Sequence, residues 1–401
     1  MTNLWRLNVL AILLIAGVSF NVNAAQPRGY VNSSGIMIAP LLEIGIKTDD
    51  NYLNQYRGGV SSNVFTEAPS VFFGMDDGVN KYETTLGFES GRFSADCNDN
   101  YLDSYFEFRG HREPNYSSRW DFTVDARHVT EPRGTGSTFG ASKRFDEPIT
   151  YDVQKAAVNY EYGALSTQAR FAVNAQLYSR RYNNFRTFSA FQDYASFLFG
   201  SGFYYSISRK TEAFIELNQD TIRYERVYTD GLFRDSYDTR ASLGLQWEAT
   251  ALTTGRAKIG LQRKSFHNSH RENFSGVSWK VDVDWQPLSY STVTLTSSSN
   301  AKDTTLSADY LKETLVGIVW QHDWREYFTS TVRWANLQEE YIGGSFDRTD
   351  ETRIFDLNVK YPLLPWLGIS PFIQIKETKS PSRYANISKN VVGVNFVLAM
   401  L

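Results

Sequence analysis

Val277-Ser278-Trp279-Lys280-Val281-Asp282-Val283-Asp284-Trp285 carries Val, Trp, Val, Val and Trp at its odd positions and Ser, Lys, Asp and Asp at its even ones. A β-strand sends successive side chains to opposite faces, so this segment has one apolar face and one charged face. A helix would need its apolar residues every three or four positions, and that period is hard to find here. A soluble β-sandwich also alternates, burying its apolar face in a core. The connections between strands separate the two readings better than the strands do.

From about Ile36 onward the chain repeats one unit, a stretch of roughly 9 to 13 alternating residues followed by a turn, the length that tilted membrane-spanning strands require. Ala241, Leu243, Leu245 and Trp247 alternate with Ser242, Gly244, Gln246 and Glu248; Phe355, Leu357, Val359 and Tyr361 alternate with Asp356, Asn358 and Lys360. Short turns are expected near Asp76-Asp77-Gly78, Pro114-Asn115-Tyr116, Tyr162-Gly163-Ala164, Arg209-Lys210, Thr250-Ala251, Pro287-Leu288, Asp323-Trp324-Arg325 and Pro362-Leu363-Leu364-Pro365. Long connections are expected over Lys47–Pro69, Val129–Thr150, Arg180–Gln192, Arg226–Ser236, Ser265–Ser275 and Thr378–Lys389. Alternation of short and long joins is the periplasmic-turn, extracellular-loop asymmetry of outer-membrane barrels. The expected fold is therefore all-β, a single closed antiparallel transmembrane β-barrel of about 18 strands, with 16 as the neighbouring even count.

The first residues agree with export. Arg6 precedes an apolar run from Val9 to Val18, too short to span a bilayer as a helix, and Asn21-Val22-Asn23-Ala24-Ala25 offers small residues for cleavage after Ala24. Residues 1–24 read as a cleaved signal peptide and 25–401 as the barrel, in the outer membrane of a Gram-negative bacterium. Mean hydropathy is -0.39, and no later apolar stretch reaches the ~18 residues of a spanning helix. Aromatic residues make up 15% of the chain, an excess that interfacial girdles would absorb. Cys97 is the single cysteine, which excludes an intramolecular disulfide, and a net charge of -3 without long runs of one sign gives no nucleic-acid footprint.

A barrel of 16 to 18 strands is wide enough for an aqueous channel. By parity its lumen would display Asp121, Asp125, Arg127, Glu212, Glu216, Arg240, Arg256, Lys258, Lys280, Asp282, Asp284, Asp356 and Lys360. A wall of both signs holds water without strongly selecting cations or anions, which suits a neutral or weakly charged solute such as a glycan. The alternative is that these groups pair along the wall and select nothing.

Ala39-Pro40-Leu41-Leu42-Glu43-Ile44-Gly45-Ile46, followed by Thr48-Asp49-Asp50-Asn51-Tyr52, resembles the opening strand and turn of the putative β-barrel porin 2 family, outer-membrane barrels of capsular and exopolysaccharide loci. Ala68-Pro69-Ser70-Val71-Phe72-Phe73 and Thr84-Thr85-Leu86-Gly87-Phe88-Glu89 are similar to that family's next strands, and Lys376–Ser380 with Tyr384–Asn390 to its last loop. The resemblance implies a role in passing polysaccharide or its precursors across the outer membrane. Partners would then be outer-membrane lipid and lipopolysaccharide, the barrel-assembly machinery, and polysaccharide with export-complex proteins. The final strand, Asn390–Leu401, resembles the signal read by that machinery, with Val392, Val394, Phe396, Leu398 and Met400 toward lipid.

The residues point to no catalytic site, cofactor or metal. His111, His128, His267, His270 and His322 fall in no nucleophile or zinc motif, and Asp49-Asp50-Asn51 reads as a capped turn rather than a cation site. Two other functions remain as alternatives: a general or sugar-selective porin, and a surface receptor or adhesin binding through its long loops. Val129–Thr150 is the segment most suited to bind, or to fold inward and constrict the pore.

Overall fold

Backbone N–H and C=O groups in hydrocarbon have no water to bond, and a row of strands satisfies all of them only by closing on itself. The computed structural model, which describes residues 29–227, 234–250, 252–304, 308–324, 328–343 and 347–399, closes in this way. After a two-residue strand β1 (Tyr30–Val31), the wall is built from β2 (Met37–Asp49), β3 (Ser62–Asp76), β4 (Lys81–Phe93), β5 (Tyr101–Asn115), β6 (Ser118–Thr130), β7 (Thr150–Tyr162), β8 (Ala169–Tyr182), β9 (Tyr194–Ser208) and β10 (Thr211–Tyr224). It continues through β11 (Ser236–Thr250), β12 (Thr253–Phe266), β13 (Phe274–Leu288), β14 (Ser291–Lys302), β15 (Tyr310–Trp324), β16 (Phe328–Ile342), β17 (Arg348–Leu364), β18 (Leu367–Lys379) and β19 (Ile387–Ala399). Each strand pairs antiparallel with its sequence neighbours, and β19 pairs with β2 from Val391↔Asp49 to Ala399↔Leu41, giving a closed barrel of 18 strands.

The seam has its own lock. Asn51 N–H caps on the Asp49 carboxylate at 3.0 Å, so Asp49-Asp50-Asn51 is a capped turn. The Asp50 carboxylate accepts from the backbone N–H and the side-chain amide of Asn390 at 2.7 and 2.6 Å, Asn51 donates to the Ser388 carbonyl at 2.9 Å, and Lys389 pairs with Asp49 at 2.7 Å. Two stretches more than three hundred residues apart, both part of the family resemblance, therefore meet at the join.

The eight short joins fall where turn residues predict, within a few positions; the one expected at Pro287-Leu288 lies just beyond, because β13 runs through Leu288. The long connections need correction. The first spans only residues 50–61, since Ser62–Pro69 is already strand. Pro69 looks like a strand breaker, yet it is tolerated: the β3–β4 ladder stops at Glu67↔Ser90 and resumes at Ser70↔Gly87, so the break falls on the residue with no N–H to donate. The connection 94–100 at the same end, and the intervals that separate β14 from β15 and β16 from β17, are too short to stand out in the sequence. Residues 1–24, read as a signal peptide, Met400, read as lipid-facing, the expected turn residues Ala251 and Arg325, and 228–233 of the expected long connection Arg226–Ser236 lie outside the described residues.

One face of the wall is apolar and exposed, with Leu243, Ile259 and Leu261 at 62%, 52% and 68%. The seven tryptophans in described strands lie on that face by register. Trp279, Trp320 and Trp324 each donate their indole N–H to a serine of an adjacent strand, Ser297, Ser291 and Ser330, at 3.1, 3.0 and 2.8 Å. Trp120, Trp247, Trp285 and Trp324 sit near the short turns, as an interfacial belt requires. The girdle does not account for all the aromatic excess: Tyr101, Tyr151, Tyr178, Tyr182, Tyr194 and Tyr224 occupy the opposite, inward face, where the Tyr101 hydroxyl donates to Glu89 and that of Tyr182 to Glu131. The substitution Ile259→Arg, at mid-strand on the outer face, should lower folding free energy in liposomes by about 2–4 kcal/mol. Urea-dependent folding measured by tryptophan fluorescence reads the effect, and a change under ~0.5 kcal/mol would place Ile259 away from lipid.

Candidate functional site

The inward face carries charge, and most of that charge is paired along the wall. Cross-strand register puts all thirteen residues expected in the lumen on this one face, and four of them come together in a continuous network. Arg119 pairs with Glu161 at 2.6 Å, and Glu161 also meets Arg170 at 3.0 Å. Arg170 and the Gln246 amide both bond Glu212. Arg256 donates to Gln246 Oε1 at 2.5 Å and pairs with Glu216, which also holds Lys258 at 2.8 Å and the Tyr204 hydroxyl at 3.1 Å.

The other nine sit in smaller sets. Arg127 pairs with Asp125 at 2.9 Å and with Glu107; Arg240 pairs with Asp238 at 2.6 Å; Lys280 meets Asp282 at 3.4 Å. Asp121 holds His111 at 2.5 Å, Asp284 accepts from Thr294 at 2.6 Å, and Asp356 accepts from Gln374 at 2.8 Å beside Arg333. Lys360 lies within electrostatic reach of Glu43. Each pair alone contributes little where water reaches it. Together they leave a polar inward wall with little net sign. In the network Glu216 balances two cations, Arg256 and Lys258, so Glu216→Gln should shift the reversal potential in a KCl gradient toward anion selectivity; an unchanged potential would mean that Arg256 and Lys258 do not face the ion path.

The long-loop end is narrowed from two sides. The connection between β6 and β7, residues 131–149, is drawn inward instead of projecting. Arg133 pairs with the buried Asp99 at 2.7 Å, its carbonyl accepts from Asn54 at 2.7 Å, and Phe145 meets Phe185 edge-on at 5.0 Å. Gly134 has φ +71°, and a Cβ there would lie 2.3 Å from the Leu53 carbonyl oxygen, so only glycine lets the two loops approach this closely. Further along, Phe139 lies under the Arg348 guanidinium, 4.6 Å from carbon to ring centre. Arg348 opens β17, seven strands around the ring from β6, so the segment forms a strap across the mouth. From the other side, the upper end of β14 leaves its pairing with β13 above Trp279↔Ser299 and leans over the inward face of β12. There the Gln262 amide bonds both the N–H and the C=O of Ala301 at 2.9 Å, in place of a strand partner, and Lys264 pairs with Asp303 at 3.0 Å.

One strap residue titrates near neutrality. Burial pushes the Glu131 carboxyl from 4.5 up to about 7, against the opposing pull of the Ser137 N–H and the Arg180 charge. The packed strap thus holds a proton that a released strap gives up, and its packing weakens as pH rises from the ordinary carboxylate range through about 7. Single-channel current should be larger at pH 8 than at pH 5, and Glu131→Gln should abolish that difference. Equal wild-type currents at both pH values would sever the strap from the ion path.

Sequence reasoning did not single out Glu131, Arg180 or the inward tyrosines. The alternation Tyr178-x-Arg180-x-Tyr182 was visible, but periodicity alone does not say that an aromatic row faces water.

The sequence matches the family model described as putative beta-barrel porin 2 over residues 31–400. The chain belongs to this family. As a member it is a porin-like barrel of the outer membrane. Among curated proteins none matches the chain. Solved structures are similar to the chain at low identity. Pseudomonas aeruginosa OccK2 (OpdF) in complex with glucuronate is 9% identical with a TM-score of 0.50, covering 92% of this chain and 99% of that one. P. aeruginosa OpdK with vanillate is 11% identical with a TM-score of 0.47 over 92% and 99%. The siderophore receptor PirA from P. aeruginosa is 8% identical with a TM-score of 0.46 over 91% and 80%.

Proposed function

We propose that this porin-family barrel is a passive outer-membrane channel that takes part in exporting a capsular or extracellular polysaccharide. The observation that carries the reading is the self-paired inward wall of an 18-strand barrel. A barrel of this strand number leaves space for water. A wall whose carboxylates and cations neutralise each other offers many hydrogen-bonding groups and little net field, the surroundings that a polyhydroxylated, sparsely charged polymer can slide past. The resemblance to barrels of polysaccharide loci supports export over uptake. A general or sugar-selective porin is the second reading, favoured by the strap across the mouth, which would set an upper size for solutes. A receptor or adhesin role fits less well, because the longest loop is tied inward by Arg133, Phe139 and Phe145 instead of being displayed.

Planar-bilayer conductance of the folded barrel, with and without oligosaccharides, tests the channel. A steady current that sugars block supports it, and shortening residues 135–146 to a glycine linker should raise that current severalfold. Absence of current from both forms would overturn a passive channel. Deleting the gene separates the two readings: loss of surface polymer with accumulation in the periplasm supports export, whereas normal surface polymer with slower sugar uptake supports the porin.

A further inference from the structure

Beneath the strap lies a group of side chains that the ion-pair network does not use. Tyr178 and Arg180 alternate along β8 and share its inward face. Register sets Arg180 opposite Tyr194 of β9, and Tyr194 opposite Tyr224 of β10. The Tyr178 and Tyr194 rings stack with centres 5.4 Å apart and an interplanar angle of 30°; Tyr194 and Tyr224 follow at 5.4 Å and 37°. The Arg180 guanidinium carbon lies 4.9 Å from the Tyr194 ring centre and 5.4 Å from that of Tyr182. At the other end of the row the Arg234 guanidinium sits 4.6 Å over Tyr224.

One feature distinguishes Arg180 from the arginines of the wall. Arg119, Arg127, Arg170, Arg240 and Arg256 each have a carboxylate partner, whereas Arg180 has none within ion-pair distance among the described residues, and its Nε is buried without a hydrogen-bond acceptor. Glu131 is within electrostatic reach, but its oxygens are engaged by the Ser137 N–H at 2.7 Å and the Tyr182 hydroxyl at 3.4 Å. A cation with so little compensation is costly in a protein wall, and the tyrosine faces offset only part of that cost. Arg180, Tyr178, Tyr194 and Tyr224 also keep partial exposure on the inward face, as the paired Arg127, Arg240 and Arg256 do.

Flat aromatic faces with hydroxyl rims match the C–H face of a pyranose ring, and a guanidinium fork matches a carboxylate. We propose that Arg180, Tyr178, Tyr194 and Tyr224 form a subsite for an acidic sugar unit, with the ring resting on the tyrosines and its carboxylate held by Arg180. The inference rests on the glycan-channel reading and sharpens it: a wall without net sign lets the polymer pass, and one station beneath the strap recognises its acidic units.

Calorimetric titration of the detergent-folded barrel with hexagalacturonate and, separately, with maltohexaose tests the subsite without requiring any current. Wild type should bind the acidic hexamer at least tenfold more tightly than the neutral one. Arg180→Gln should cost at least tenfold in affinity for the acidic hexamer and little for the neutral one, Arg180→Lys should restore part of the loss, and Tyr194→Ala should weaken both. Heat-modifiable migration on gels checks that each barrel is folded; should Arg180→Gln fail to fold, Arg180→Lys and Tyr194→Ala carry the test. Equal binding of both sugars, or acidic binding indifferent to Arg180, overturns the subsite. If sugars still block the wild-type current in that case, the channel reading survives; if no sugar binds and none blocks, both fall.

Discussion

Hydrogen bonding of β19 to β2 is the constraint on which the rest of the structure depends. Each backbone group left unpaired in hydrocarbon costs several kcal/mol, so an open sheet of this length could not reside in a membrane. Closure at Val391↔Asp49 through Ala399↔Leu41 removes both edges, and the bonds from Asp50, Asn51 and Lys389 fix the register at the loop end of the join. Register matters because a slip by one residue would turn every side chain to the other face and expose Glu43 and Lys47 to lipid. The lock at the seam therefore protects the sidedness of the whole wall.

Sidedness then sorts the aromatic residues by their chemistry. Tryptophan has one donor and a large apolar ring, and every tryptophan in a described strand faces outward, three of them donating to a serine on the neighbouring strand. Tyrosine combines a polar hydroxyl with a ring face, and the inward tyrosines use both: Tyr101 donates to Glu89 at 2.8 Å, while the rings around Arg180 present their faces to a cation. The same composition thus serves two solvents.

The inward charges show how much a sequence pattern tells and where it stops. Alternation was enough to place Glu212, Glu216, Arg256 and Lys258 on one face, because side-chain direction in a strand depends only on parity. It could not say that these four share one network with Arg170 and Gln246, because that depends on which strands are neighbours and by how many residues they are offset. Nor could it locate Arg180, whose lack of a carboxylate partner is a property of β7, β9 and β10 as much as of β8.

What the sequence determined by itself was the class of fold, the even strand count, the sites of the short turns and the face each strand residue would take, all consequences of a two-residue period and of local turn chemistry. Loops have no period. That residues 131–149 would cross the mouth, that β14 would lean inward onto Gln262, and that the Asp-Asp-Asn turn would clasp Ser388, Lys389 and Asn390 were decided only by the tertiary structure, because each rests on contacts between segments that the ring, and not the chain, makes neighbours.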